Sequence, residues 1–357
     1  MRVVVASDRV GALSSSRAGQ ALAEGWASAA TAVVPIGDAG VGFAEATADG
    51  WEVPLVSGVL DGRLTSWAHA PDALVVAVSG DSAPDAEGGI PASASSYALG
   101  RALRHALWER EHPAATVLVD LAGLDTHDGG AGFLAALGAT ADICLDAGVA
   151  GLHGLGWIDL AAVRQLLAGA RLVGVVPGAE TARPLLGLRG ITSLRGRADG
   201  YDPAELLATD VTLSRLVELV APGGVDLPGA GACGGLGLAV LALGGTLATG
   251  PALALGDPRA AAALRRADLA VTGTGVFDFA RRGGGVVAEM ARRAGAALCP
   301  CIIVAGEVLV GAREMRTMGI EAAYAVREST ADAPAGGDVT AEELAATARR
   351  VSRSWSW

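Results

Sequence analysis

Residues Pro228–Gly237 read PGAGACGGLG and open directly into the apolar run LAVLALG. Five of these ten positions are glycine: Gly229, Gly231, Gly234, Gly235 and Gly237. Glycines at this density let the backbone turn tightly and point several N–H groups at one place. A helix N-terminus behind them carries about half a positive charge, so a phosphate or a carboxylate is the natural guest. The same pattern also serves as a close helix–strand packing turn with no ligand, and the spacing alone leaves both readings open.

Outward from that turn the chain alternates short β-branched runs with longer Ala/Leu helices, the pattern of a parallel sheet covered by helices. Strands are predicted at Val3–Ala6, Leu74–Val78, Thr116–Leu121, Leu172–Val176, Leu269–Thr272 and Ile302–Ala305. Helices are predicted at Ser14–Ser28, Tyr97–Glu111, Gly132–Leu137, Asp159–Leu167, Leu236–Leu243, Pro258–Arg266 and Gly284–Arg293. Ser14 to Ser16 offer N-cap side chains ahead of the first helix. The acidic stretch 330–338 reads as an exposed loop before a last helix, and the final SRSWSW as a loose tail. The expected class is α/β.

The 357 residues are 51% hydrophobic, enough for a large core and for about two domains. A formal net charge of −11 gives the chain no electrostatic reason to hold nucleic acid or an anionic membrane. All 27 basic residues are Arg, so Schiff-base chemistry and a phosphate-binding Lys are excluded, and every fixed cation is a guanidinium. Of the four cysteines, Cys299 and Cys301 open an apolar run and read as buried thiols. With Cys144, Cys233 and five scattered His, they do not make a zinc pattern. No apolar run reaches the ~20 residues of a membrane helix, and MRVVVAS enters a strand pattern with no signal-peptide core. A cytoplasmic protein is the expectation.

The polar clusters fall where strand patterns end, which is where open α/β sheets gather ligands. They are SDRVGALSS after the first strand, GDAGVG at Asp38, LDTHDGGAG at Asp128, the glycine turn itself, and TGTGVFD at Asp278. Each combines small residues with polar or acidic ones, and together they suggest one site assembled from distant segments. Asp8, Asp38, Asp128 and Asp278 are candidate metal ligands or proton acceptors, with Asp38 and Asp278 the metal pair. Arg9 beside Asp8 is placed to meet a carboxylate or phosphate. Gly129, Gly130, Gly229, Gly231, Gly234 and Gly235 offer unobstructed N–H donors, and Thr126 and His127 join the Asp128 cluster. The competing structural readings are an N-cap or turn role for Asp128, Asp8 and Asp38, and a satisfied polar role for His127.

In order and content these clusters resemble the type I glycerate kinase family over Arg2 to about Val326. The most specific matches are DGGAG with the following LGA (Leu137–Ala139), and PGAGACGGLG. VVVASD, VPIGDAGVG (Val34–Gly42), SSYALGRALRHAL (Ser95–Leu107) and DLAVTGTGVFD (Asp268–Asp278) are also similar. The resemblance implies an ATP- and Mg²⁺-dependent kinase that phosphorylates a hydroxyl of glycerate. It also implies a discontinuous, parallel-sheet, Rossmann/flavodoxin-like first domain (residues 1–80 and 255–357). A second α/β domain (81–254) is inserted in it, and a homodimer stays open.

Charged positions depart from the family pattern. Ser7 precedes Asp8 where the family has Pro, and Arg9 is the only nearby cation. Ala39 and Val41 replace Gly and Glu. Leu124–Asp125–Thr126–His127 replace Ser-Ala-Thr-Asn, and Asp199-Gly200 replaces Lys-Gly, leaving Arg195 or Arg197 to supply charge. Thr274 and Val276 replace Glu and Arg, and Gly285 replaces a Lys, with Arg281 and Arg282 near. A catalytically silent, ligand-binding or scaffold member is therefore the alternative. A dinucleotide-dependent oxidoreductase fits worst, because SDRVGALSS lacks the G-x-G-x-x-G that should open the first helix.

Overall fold

The computed structural model describes residues 1–79, 91–110, 113–198, 202–279, 284–327 and 339–355. Asp199, Gly200, Arg281, Arg282, the acidic stretch 330–338, the Arg197 side chain and the last two residues of SRSWSW lie outside the described residues.

The chain forms two compact units, Met1–Asp38 with Glu45–Glu52 and Gly250–Trp357, and Ala39–Ala44 with Val53–Thr249. The strands, in chain order, are β1 (Arg2–Ser7), β2 (Ala30–Val33), β3 (Val56–Leu60), β4 (Arg63–His69), β5 (Ala73–Ser79), β6 (Thr116–Asp120) and β7 (Thr140–Ala141). They continue with β8 (Ile158–Asp159), β9 (Arg171–Val175), β10 (Thr246–Ala248), β11 (Leu269–Phe277), β12 (Cys301–Val308) and β13 (Ala322–Ala325). The helices begin with α1 (Ser15–Ala23), α2 (Phe43–Trp51), α3 (Tyr97–Trp108), α4 (Ala131–Leu137), α5 (Ala161–Leu166), α6 (Ile191–Ala198) and α7 (Pro203–Val220). They end with α8 (Ala232–Ala242), α9 (Gly250–Gly256), α10 (Pro258–Arg265), α11 (Gly284–Ala296), α12 (Ala312–Thr317) and α13 (Ala341–Ser352).

The first unit holds a wholly parallel sheet in the order β13-β12-β11-β1-β2. Both faces are covered, which is why β1 and β12 are nearly continuous apolar runs. Alternate residues of β1 enter opposite cores. Val4 and Ala6 pack with Leu264, Val286 and Met290 of the α10–α11 side. Val3 and Val5 pack with Leu22, Leu344 and Ala348 of α1 and α13. Ser14 caps α1 by accepting the Arg17 amide, and Thr340 and Glu343 close a reciprocal capping box on α13.

The second unit holds a mixed sheet in the order β10-β9-β6-β5-β4-β3. Strands β5, β6, β9 and β10 are parallel, while β3–β4–β5 is an antiparallel meander. Residues 53–79, assigned from sequence to the first domain, supply that meander instead, because β5 hydrogen-bonds to β6 from Ala73↔Thr116 to Val76↔Val119. Cys233, Cys299 and Cys301 are buried and Cys144 is exposed, all as free thiols. Among the described residues, no helix is long and apolar enough to cross a membrane.

Helices α3 and α4 cross with backbone-to-backbone closeness because residue 100 is glycine. A Cβ on Gly100 would lie 2.5 Å from the Phe133 carbonyl oxygen and 2.7 Å from Ala136 Cβ. Gly100→Val is expected to lower unfolding stability by about 1–3 kcal/mol, the usual cost of overpacking, read as a shifted urea midpoint.

Candidate functional site

In the first unit, β1 lies between β2 on one side and β11 on the other. The chain therefore reverses its direction of winding beside β1, and the crevice beyond the carboxyl ends of the strands opens there. Asp8 follows β1, Asp38 follows β2, and Asp278 follows β11. The Asp8 amide donates to Gly273 O at 3.0 Å, and the Arg9 amide donates to Asp8 Oδ1 at 2.8 Å. Burial pushes the Asp8 carboxyl above the ordinary carboxylate range. The Arg9 amide draws it partly back, and the charge of Asp38 raises it further.

The start of α11 stands over these acids. A Cβ on Gly284 would be 3.6 Å from Asp8 Oδ2, and one on Gly285 would be 3.0 Å from Asp38 Cγ. Two carboxylates thus face the positive end of a helix whose first residues carry no side chains. Among the described residues, no group of three His, Cys, Asp or Glu side chains forms a metal cage. TGTGVFD is not a loop. It is the interior of β11, which pairs with β1 as far as Gly273 and with β12 as far as Phe277, so only Asp278 projects past the strand. Gly273 permits this closeness, since a Cβ there would sit 2.5 Å from Ser7 Oγ.

In the second unit, Asp128 is 0% exposed and its carboxylate is saturated. It accepts the Ser96 amide and hydroxyl, both at 2.8 Å, the Gly130 amide at 2.9 Å and the Gly132 amide at 3.1 Å. Burial nevertheless pushes its pKa up. Asp128, a catalytic candidate from the sequence, ties the start of α3 to the start of α4. Gly129 and Gly130 are used for backbone geometry, at φ 64° and 77°. The Gly129 amide donates to Gly234 O at 3.3 Å.

The glycine turn is likewise closed on the protein. The Ala230, Gly231 and Ala232 amides donate to Leu227 O, Arg183 O and Gly229 O. The Cys233 amide donates to Glu180 Oε2 at 2.7 Å. Residues 233–235 are left-handed in succession (φ 50°, 72° and 94°), a conformation two glycines make inexpensive and Cys233 tolerates under strain. A Cβ on Gly229 would lie 2.7 Å from Thr181 O, and one on Gly235 2.5 Å from Gly129 Cα. Cβ atoms on Gly231 and Gly234 would collide with Pro184 O and Thr126 O. Close backbone packing is by itself a sufficient reason for glycine at 229, 231, 234 and 235.

Thr126 and His127 lie between α6 and this turn. His127 Nε2 bonds Thr192 Oγ1 at 2.9 Å, and Arg195 Nη1 donates to Thr126 O at 2.7 Å. Burial first, and the Arg195 charge second, lower the His127 pKa to about 4, so the ring is neutral at pH 7. Asp125 is exposed. Sequence reasoning missed Asp120 and Glu180. Asp120 ends the apolar strand TVLVD, a signal that was available, and accepts the Gly40 amide at 2.9 Å and the Ala122 amide at 3.0 Å. Glu180 carries no comparable sequence signal.

The sequence profile of the Glycerate kinase family matches residues 3–356. The chain belongs to this family. A glycerate kinase of Bacillus cereus is 26% identical over 99% of this chain and 98% of its own. A glycerate 2-kinase of Escherichia coli is 28% identical over 92% of this chain and 91% of its own. A chain described as a glycerate kinase 2 of Salmonella typhimurium has a crystal structure that superposes with a TM-score of 0.82. That chain is 25% identical, with 99% of this chain and 98% of the other covered. This member has the α/β scaffold of the family, with Gly285 lying against Asp38.

Two outcomes test these assignments. His127 resists protonation in the folded state (about 4 against 6.5), so its neutral form supports the fold above pH 6.5 and that support is lost as pH falls toward 4. His127→Asn is expected to flatten the fall of urea-unfolding stability across that window by up to about 3 kcal/mol. Asp128→Ala strands three buried amides and a hydroxyl, and is expected to cost more than about 3 kcal/mol in the same assay.

Proposed function

We propose that this chain transfers the terminal phosphoryl group of ATP to a hydroxyl of glycerate, or of a closely related hydroxy acid, with Mg²⁺. Family membership supplies the reaction class. The observation that carries the site is the Asp8–Asp38 pair at the winding reversal of the first sheet, under the start of α11.

The residues fit the metal. Mg²⁺ takes oxygen donors and is commonly held by one or two carboxylates together with phosphate oxygens and water, so a three-residue cage is not needed. Asp38 and Asp278 would hold it, and the ion would neutralise charge on the phosphates. Asp8, whose pKa burial and Asp38 raise, would accept the proton of the attacking hydroxyl. The bare backbone at Gly284 and Gly285 leaves the Asp8 and Asp38 carboxylates room against the start of α11, where a metal ion bound by the acids would bring phosphate oxygens. Arg9 adds a guanidinium, suited to a phosphate or a carboxylate.

One observation favours a second reading, a silent member that binds acid or nucleotide. The amides at 230–233 are already engaged, one of them by the protein's own Glu180 carboxylate.

ADP release is expected from the wild-type protein with ATP, Mg²⁺ and D-glycerate, and not after EDTA. Asp8→Asn and Asp38→Asn are expected to lower kcat at least about 10²-fold. A wild-type protein that shows a thermal shift with ATP or glycerate but releases no ADP would replace the kinase with the binding-only reading.

A further inference from the structure

Among the described residues, β3 is the last strand of the second unit's sheet, with β4 as its one neighbour. The hairpin that joins them decides which backbone groups of β3 are left over. Asp61 and Gly62 are both left-handed (φ 52° and 77°), as in a two-residue type I′ turn, and Leu60 pairs with Arg63 across it. The closing pair of such a hairpin exchanges both backbone hydrogen bonds, and bonded pairs alternate along an antiparallel ladder. Val56, Gly58 and Leu60 therefore bond to β4, while Ser57 and Val59 turn their N–H and C=O groups outward. Among the described residues, no backbone bond reaches Ser57 or Val59 from that outer side.

Edge strands are normally blunted by a charge, a proline or a bulge. The β3 sequence VSGVL has no charge and no proline, and its register with β4 runs unbroken from Val56↔Trp67 to Leu60↔Arg63. Apolar side chains stand exposed on both faces of this edge. Val56 is 44% exposed on the face it shares with Trp67, while the cross-strand pair Val59 and Leu64 is 70% and 51% exposed on the other.

We infer that β3 is the pairing edge for a second copy of this chain, strand against strand, antiparallel about a two-fold axis at Gly58. A two-fold axis makes one surface meet itself, and for a strand edge that meeting is antiparallel. Centring it on Gly58 sets Ser57 opposite Val59 of the second copy and Val59 opposite its Ser57, so each outward group finds its complement. Val56 then faces Leu60 of the second copy, and Gly58 faces Gly58. Charge favours the same occupant. Helix α3 runs from the turn toward the start of β3, since Arg101 pairs with Asp61 at 3.4 Å and His105 meets Trp67 edge-on. Glu109 follows His105 by one helical turn. Arg63, beside the turn, is exposed and makes no ion pair among the described residues. Antiparallel pairing carries the turn of one copy to the strand start of the other, and so Arg63 toward Glu109 of the second copy. The contact would cover roughly 500 Å² per copy, or about 1,000 Å² in all, the lower bound of a specific interface, so the dimer is a weak one.

The test uses the full chain. Analytical ultracentrifugation is expected to show a reversible dimer at about 50 µM that dissociates below about 1 µM. Val59→Lys puts a charge on the edge at an exposed position, and is expected to weaken association at least about tenfold while the thermal unfolding midpoint stays within about 2 °C of wild type. Cross-linking reads the register. Residues on the axis face themselves, with Cα atoms about 4.5 Å apart in a non-hydrogen-bonded pair, which is within disulfide range. A Cβ at Gly58 would meet the Trp67 ring at 3.6 Å, an ordinary contact, so a cysteine fits there. In a Cys144→Ser background, which removes the exposed thiol, Gly58→Cys is expected to give a covalent dimer with copper phenanthroline. Arg313→Cys, at an exposed position of the first unit, is expected to give none. A chain that stays monomeric at about 200 µM would leave the edge to a strand of a different protein and overturn the proposal. A dimer unchanged by Val59→Lys, or Gly58→Cys cross-linking no faster than Arg313→Cys, overturns it as well.

Discussion

The second unit depends on one buried carboxylate. Asp128 gathers the amides of Ser96, Gly130 and Gly132 and the Ser96 hydroxyl, so that α3 and α4 start from a shared anion. Helix N-termini leave N–H groups unsatisfied, and a single acid satisfies those of two helices at once. Phe133 also donates its amide to Ser96 Oγ, which completes the linkage. The backbone just before Asp128 is thereby held in place, and that backbone presents Thr126 and His127. A carboxylate bonded in this way fixes geometry.

The first unit handles charge differently. There Asp8, which accepts the Arg9 amide, lies near Asp38 and near a helix start. Burial, and to a lesser degree the charge of Asp38, raise the Asp8 carboxyl. Glycines at 284 and 285 make the arrangement sterically feasible, since a side chain at 285 would occupy the space of the Asp38 carboxylate.

The legibility of the sequence followed burial. Strands β1, β5, β6, β9 and β12 are covered on both faces, so they read as unbroken apolar runs and were visible without coordinates. Strands β2 and β3 are half-exposed, and ATAV or VSGVL offers no such run. β11 was read too short because Gly273, Thr274 and Gly275 resemble a turn. The sheet tolerates them where β1 and β12 press close. Helix α7 escaped notice even though Asp202 and Pro203 are a sound start signal. In the candidate site, the acids after β1, β2 and β11 were legible from their position at strand ends. Asp128 and the glycine turn were read for ligands because a satisfied carboxylate and a hungry one look alike in sequence, as do glycines that bind and glycines that pack. Glu180, which accepts the Cys233 amide, lies 53 residues away from it.

Strand β1 is stitched to β11 with Val3 opposite Leu269, whereas the segment 53–249 is continuous. During synthesis the N-terminal strand emerges first but waits for most of the chain before its inner neighbour exists. The intervening segment can complete its own sheet in the meantime. Closing so long a loop is entropically costly while it is floppy, and far less so once the span is a folded body. The closure of β1 against β11 therefore costs less once the segment 53–249 is folded.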